Sequence, residues 1–171
     1  MGLHPQTIGA SMPHGFAGSY ARQPDMIVNT HPAGGANEIH FGAPLKYGAG
    51  GTVIPMGDAA TAAEFVGIAS RELKSSLSYL DQNTGVYAPG EAVSVFKRGA
   101  VNVKCQKGAP ALGGAVYIRI IANPAYSTAA VGGFEAEADG ANTIQLTNCQ
   151  WAGTADSNGV AELRILTMQN A

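Results

Sequence analysis

From about residue 52 onward, apolar and polar residues alternate with the period of two that is typical of half-buried β-strands. The clearest segments run from Ala92 to Lys97, Val101 to Cys105, Ala115 to Ile121 and Thr143 to Trp151. A last strand is predicted from Val160 to Met168. Turns rich in Gly, Pro and Asn separate the segments, so the pattern predicts about eight short strands.

These strands predict an all-β domain. Parallel strands need long crossover connections, which are usually helices, and alternating helical segments are missing. We therefore predict an antiparallel β-sandwich or barrel. One hairpin is expected to turn at Arg98-Gly99, and another to close at residues 156–159.

The first 51 residues differ from the rest. They hold five prolines and all four histidines of the chain, and they have no sustained apolar period. Such a segment buries too little surface to fold alone. We predict an extended N-terminal arm over residues 1–51 and a β domain over residues 52–171. Five apolar side chains are the expected anchors of the arm on another protein, or on the chain's own barrel: Phe16, Tyr20, Met26, Ile27 and Phe41.

The charge of the chain narrows the possible partners. Charged residues make up 13% of the sequence and the formal net charge is -2. The ten Lys and Arg residues are spread out, so direct contact with nucleic acid is not expected. No apolar run is long enough for a membrane span, and the N-terminus lacks the pattern of a secretory signal. We expect the chain to be made and kept in a cytoplasm until it is used.

Few residues suggest catalysis, metal binding or a cofactor. His4, His14, His31 and His40 lack the short spacing of metal ligands, and all lie in the predicted arm. Two cysteines, Cys105 and Cys149, are expected to be ordinary strand residues, although a disulfide stays possible. The sequence therefore indicates neither an enzyme nor a cofactor-binding protein.

Two other features have a structural and a functional interpretation. Glu135, Glu137 and Asp139 alternate on one strand, which favours its solvated face over a calcium or hydrolytic site. Trp151 is the single tryptophan and is expected to anchor the core or a subunit interface. A sugar-stacking platform with nearby tyrosines is the alternative for Trp151.

The order of the segments resembles a known family. A Pro- and Gly-rich start is followed by Phe65–Ala69, and then by residues 85–95 and 99–103. Residues 132–140 and 159–166 continue the same apolar and glycine-rich texture. In this order the chain resembles the head decoration, or cement, proteins of tailed bacteriophages over about residues 60–171.

The resemblance implies a structural virion protein. Such proteins bind the outside of the phage head as dimers or trimers and hold the major capsid protein subunits of neighbouring capsomers together. It also implies a core of the β-sandwich, jelly-roll or β-tulip type, with arms that cross to neighbours. On this interpretation, deleting residues 1–45 should leave a folded domain that no longer binds heads. The alternative is a carbohydrate- or receptor-binding β-sandwich module of a virus tail.

Overall fold

A computed structural model of the chain describes residues 13–72 and 84–169. These residues form strands and four short 3-10 helices, so the all-β prediction is confirmed. Within these ranges, no helix is long and apolar enough to cross a bilayer. The strands are β1 (Ile27–Pro32), β2 (Ile39–His40), β3 (Pro44–Tyr47), β4 (Val53–Pro55), β5 (Phe65–Ala69), β6 (Val86–Tyr87), β7 (Ala92–Lys107), β8 (Ala115–Arg119), β9 (Phe134–Glu135), β10 (Thr143–Trp151) and β11 (Val160–Ile165).

The 16-residue strand β7 organises the fold. Along one edge it pairs with β1 through residues 92–98 and then with β11 through residues 99–104. Along the other edge it pairs with β5 and, nearer its end, with β9. Each edge of β7 therefore carries one strand from each half of the molecule.

Gly99 lies where the partner of β7 changes from β1 to β11. Its φ of 107° is in a region that favours glycine. A Cβ atom at Gly99 would also overlap the backbone carbonyl of Asp25. The predicted turn at Arg98-Gly99 is therefore wrong, because this glycine lets one strand continue past a close backbone contact.

Two closed rings of strands share β7. In the C-terminal barrel, the second half of β7 pairs with β11, β11 with β10, β10 with β8, β8 with β9, and β9 again with β7. In the N-terminal barrel, the first half of β7 pairs with β1 and β5, β5 with β3, and β3 with β4. A parallel bridge from Ala33, directly after β1, to Val53 on β4 closes this second ring.

Each barrel has its own core. Trp151, Phe134, Leu163 and other buried residues fill the C-terminal barrel and its contact with β5. A second cluster, which includes Leu45, Val53, Val93 and Val95, fills the N-terminal barrel. The two-stranded sheet of β2 and β6 contributes Ile39 and Tyr87 to the second cluster.

The extended N-terminal arm is not confirmed. Among the described residues of this segment, β1, β2 and β3 belong to the fold, and residues 18–21 hydrogen-bond to β7 at residues 100–102. The sequence hid this because β1 pairs with β7, which is distant along the chain. A deletion of residues 1–45 would remove β1 from the barrel, so a folded remainder is no longer expected. Residues 1–12 of the predicted arm lie outside the described residues.

Candidate functional site

A buried arginine anchors the long connection between β8 and β9. The Arg119 guanidinium donates from Nε and Nη2 to the two carboxylate oxygens of Glu135, at 2.6 and 3.0 Å. Its Nη1 donates to Asp139 Oδ2 at 2.7 Å. The side chains of Arg119 and Glu135 are both 0% exposed. A bidentate contact of this kind fixes the relative orientation of the two side chains and also pairs their charges.

Asp139 is the outer carboxylate of this network. It also accepts a hydrogen bond from Asn123 Nδ2 at 2.9 Å, while its backbone N–H donates to Thr143 Oγ1. The hydrogen bonds from Asn123 and Arg119 lower the pKa of Asp139. The hydrogen bond to Glu135 is the main cause that raises the pKa of Arg119. These shifts favour the charged forms of Arg119 and Asp139.

Gln106 on β7 fastens the far side of the same connection. Its Oε1 accepts from the backbone N–H of Ala130 at 3.0 Å, and its Nε2 donates to the Ala130 carbonyl at 2.8 Å. The same Nε2 lies 3.0 Å from Glu135 Oε1. The connection is thus fixed at both ends to one buried network.

This connection, residues 120–133, displays large apolar side chains, and we call it the presented loop. Ile121 and Tyr126 are 46% and 42% exposed. The Lys107 ammonium lies 3.9 Å from the centroid of the Tyr126 ring, a cation–π contact that holds the ring in place. An exposed but immobilised tyrosine is the kind of side chain that contributes strongly to protein interfaces.

A cleft of about 590 Å³ lies beside the presented loop. Val131 and Gly132 of the loop line one part of it, and Phe41, Pro55 and Met56 line another. The cleft joins segments of both barrels, so a partner seated there would contact both. Its rim includes Glu38, His40, Lys104 and Thr128.

Phe16 forms a second exposed aromatic position near the cleft. It is 65% exposed, and Ala17, the next residue, lines the cleft. The Arg71 guanidinium lies 4.5 Å from the Phe16 ring centroid and 5.8 Å from that of Phe41. Of the predicted anchors, Phe16 is the one with a largely open side chain.

The other predicted interface residues pack within the chain. Tyr20 contacts Phe96 with ring centroids 5.5 Å apart, and Phe41 contacts Tyr87 at 5.0 Å. Met26 packs on the C-terminal core, and Ile27 is a half-buried residue of β1.

Trp151 is 0% exposed in the C-terminal core. The expected place of Trp151 in the core is therefore confirmed, and the sugar-platform alternative is wrong. A fully covered ring offers no face to a sugar or to another subunit.

The acidic residues of β9 and its turn also differ from expectation. Glu135 is buried against Arg119 and Asp139 is mostly covered, whereas Glu137 is 61% exposed. A shared solvated face is therefore wrong, because Arg119, the last residue of β8, binds two of the three carboxylates. The signal for this network in the sequence was an arginine within the apolar segment Ala115 to Ile121.

Histidine and cysteine side chains are dispersed. His14 lies 3.0 Å from the Thr154 carbonyl, while His31 contacts Tyr47 and His40 borders the cleft. His4 lies outside the described residues. Cys105 and Cys149 are not bonded to each other, and burial raises the pKa of Cys149 to about 12. Across residues 13–72 and 84–169, no group of three or more His, Cys, Asp and Glu could hold a metal ion.

Comparisons with known proteins agree with this architecture. A family model described as "Structural cement protein (E217 gp24/Pam3 gp6)" matches residues 4–166. A chain from the structure described as "The capsid of Myoviridae Phage XM1" is similar, with a TM-score of 0.69 and 18% sequence identity. The similarity covers 95% of this chain and 96% of that chain, and at this identity it shows a shared fold. No curated protein matches the chain.

Proposed function

This chain belongs to the family of structural cement proteins of phages, and we propose that it binds the outside of a phage head and stabilises contacts between capsomers. The family match over residues 4–166 carries this proposal, because it includes both barrels and the presented loop. The major capsid protein is the proposed partner. The role is structural, without catalysis.

The presented loop and Phe16 are the proposed contact surface. Ile121, Tyr126 and Phe16 are large exposed apolar side chains, and each of the aromatic rings is held by a cationic neighbour. Side chains that are ordered before binding lose less conformational entropy on binding. The buried Arg119 network therefore contributes to affinity by keeping the loop in one conformation.

Self-association is a second part of the proposal. Symmetric copies that each contact a neighbouring copy and the shell would gain affinity through multivalency. We propose a dimer or trimer on the exterior of the head, without direct contact with DNA. The low content of charged residues, 13%, suits a surface that is covered by protein partners.

Co-sedimentation with heads tests the proposal. The full-length chain is mixed with expanded heads that lack it, and the bound copies per shell are counted. We expect saturable binding at a number that the icosahedral symmetry allows. Absence of pelleting would contradict the capsid role, and binding of the free chain to glycans would then favour the tail-module alternative.

A pair of surface variants tests the contact surface. Tyr126→Ser should lower affinity for heads by tenfold or more, since interface aromatics commonly contribute over about 1.4 kcal/mol. Leu112→Ser is the matched control, because Leu112 is 82% exposed in a different loop of the same barrel. Equal losses in both variants would contradict a specific role for the presented loop.

A further inference from the structure

The N-terminal barrel contains a buried lysine that has no carboxylate partner among the described residues. Lys97 follows Val93 and Val95 at the strand period of two, so all three side chains share the interior face of β7. Lys97 is 2% exposed, although it is one of the longest charged side chains. Within the described ranges, no carboxylate forms an ion pair with its ammonium group.

One neutral oxygen serves the ammonium instead. Lys97 Nζ donates to the Tyr47 hydroxyl at 2.7 Å, and it lies 5.3 Å from the centroid of the Tyr47 ring. An ammonium has three donors and strongly prefers charged acceptors. A buried cation with one neutral acceptor costs free energy, so it does not stabilise the free chain.

A second unsatisfied group lies beside it. His31 on β1 contacts the Tyr47 ring edge-on, with ring centroids 5.4 Å apart. Its Nε2 atom is buried and has no hydrogen-bond partner. A polar atom left in this state needs an explanation beyond packing. Two incompletely satisfied polar groups therefore lie on either side of one tyrosine.

Tyr47 contacts both Lys97 and His31. It is the last residue of β3, it is 38% exposed, and exposed glycines 50 and 51 follow closely in the chain. The residues at this end of the barrel, Lys97, Tyr47 and His31, come from three different strands, and we call them the basic mouth. Movement of the Tyr47 ring would open the ammonium to an incoming group.

We propose that the basic mouth binds a carboxylate side chain of the major capsid protein. This inference rests on the proposed function, and it names the chemistry of the partner at one contact. The incoming carboxylate displaces the Tyr47 ring and accepts hydrogen bonds from Lys97. Charge complementarity carries the choice of ligand, because among the described residues the buried ammonium has no counter-ion and His31 Nε2 has no hydrogen-bond partner. On this proposal, an acidic side chain of the assembled head supplies the counter-ion for Lys97.

The test compares two lysine variants in their binding to heads emptied of DNA, so that DNA phosphates cannot take part. Lys97→Met removes the ammonium and keeps an apolar stem. Lys46→Met is the matched control, because it removes one positive charge from the same barrel, where Lys46 pairs with the partly exposed Glu64. Urea unfolding of each free variant is measured in parallel.

We expect Lys97→Met to lower affinity for heads by roughly thirtyfold or more, as loss of one member of a buried charge pair does. Its urea midpoint should equal or exceed that of the unmodified chain, whereas Lys46→Met should bind within about threefold of it. Unchanged binding of Lys97→Met would overturn the proposal. A lower midpoint, or failure to fold, would also overturn it, because Lys97 would then stabilise the free chain.

The outcome is distinguishable from failure of the proposed function. If the unmodified chain does not bind heads, the capsid role fails first and this inference fails with it. If the unmodified chain and both lysine variants bind equally well, the capsid role stands and the basic mouth is not a contact.

Discussion

Each barrel of this protein buries one long basic side chain, and the two barrels treat its charge differently. In the C-terminal barrel, Arg119 is neutralised by Glu135 and Asp139 within the chain. In the N-terminal barrel, the ammonium of Lys97 contacts the neutral hydroxyl of Tyr47. Both cations are almost fully covered. The two cations are buried to a similar extent, but only Arg119 contacts carboxylates among the described residues. This difference indicates that the two side chains have different roles.

The different pairing of Arg119 and Lys97 suits a structural role for the first and a role in partner binding for the second. A fully paired buried arginine gives a fixed geometry, and here it fixes the loop that displays Ile121 and Tyr126. A buried lysine without a counter-ion gives no such benefit to the free chain. On the proposals above, the C-terminal barrel offers a loop of fixed geometry for contact, and the N-terminal barrel offers the Lys97 ammonium to an acidic partner group.

Removing Glu135 should have the largest effect on stability. Glu135→Ala leaves the Arg119 guanidinium buried without its two-pronged partner, which typically costs about 3–5 kcal/mol. Urea unfolding of the free chain measures this loss. A large loss of stability in Glu135→Ala, with no loss in Lys97→Met, would show that the paired arginine stabilises the free chain and that the lysine does not.

Glu137→Ala is the matched control for that variant. Glu137 lies two residues further along, is 61% exposed and is 3.7 Å from the Lys107 ammonium. An exposed pair of this kind contributes at most about 1 kcal/mol. Equal losses for Glu135→Ala and Glu137→Ala would show that the buried network does not hold the C-terminal barrel together.

Gly99→Ala tests the junction between the barrels. A side chain there must adopt a φ of 107° and overlaps the Asp25 carbonyl, so we expect a loss of at least about 2 kcal/mol. Gly90→Ala is the control, because Gly90 has a φ of 83° but nothing within 4 Å of a Cβ atom. The difference between the two urea midpoints isolates the contact with Asp25. No difference would mean that β7 bends freely at this point.

The alternation of apolar and polar residues predicted those strands that bury one of their own faces. The predicted segments Ala115 to Ile121 and Thr143 to Trp151 correspond to β8 and β10. Turn residues separate these segments, so their existence and type could be read locally. The all-β class followed from the same local signals.

The N-terminal segment could not be placed from local signals. The sequence of β1, Ile-Val-Asn-Thr-His-Pro, has little alternation and ends in proline, because its stability comes from pairing with β7. Propensity is weak evidence when a distant strand supplies the hydrogen bonds. A segment that looks unable to fold alone therefore became part of a barrel.

The two buried cations were visible in the sequence only as exceptions to alternation. Lys97 occupies the position after Val93 and Val95 where an apolar residue is expected, and Arg119 lies within the apolar segment Ala115 to Ile121. Alternation places a charged residue in solvent and cannot show that a later loop covers it. A charge on the apolar side of a strand was the one available signal for either site.

The smallest expected effect concerns acid stability at the outside of the N-terminal barrel. The backbone N–H of Thr61 and then the Lys46 ammonium lower the pKa of Glu64 from its usual 4.5 to about 2. Because the folded chain lowers this pKa, the contribution of Glu64 is complete above about pH 4.5 and is lost as the pH falls toward about 2. Glu64→Gln should therefore reduce the fall in urea midpoint between about pH 5 and about pH 3.

Added salt should weaken the Lys46 part of this effect, since the pair is partly exposed. Lys46→Met separates that part from the hydrogen bond of the Thr61 backbone, which the substitution leaves intact. The acid sensitivity that remains in Glu64→Gln then includes Asp139, whose pKa is lowered by hydrogen bonds from Asn123 and Arg119. If Glu64→Gln leaves the pH profile unchanged, the acid sensitivity of the chain lies in groups other than Glu64, and Asp139 in the C-terminal barrel is the first to test.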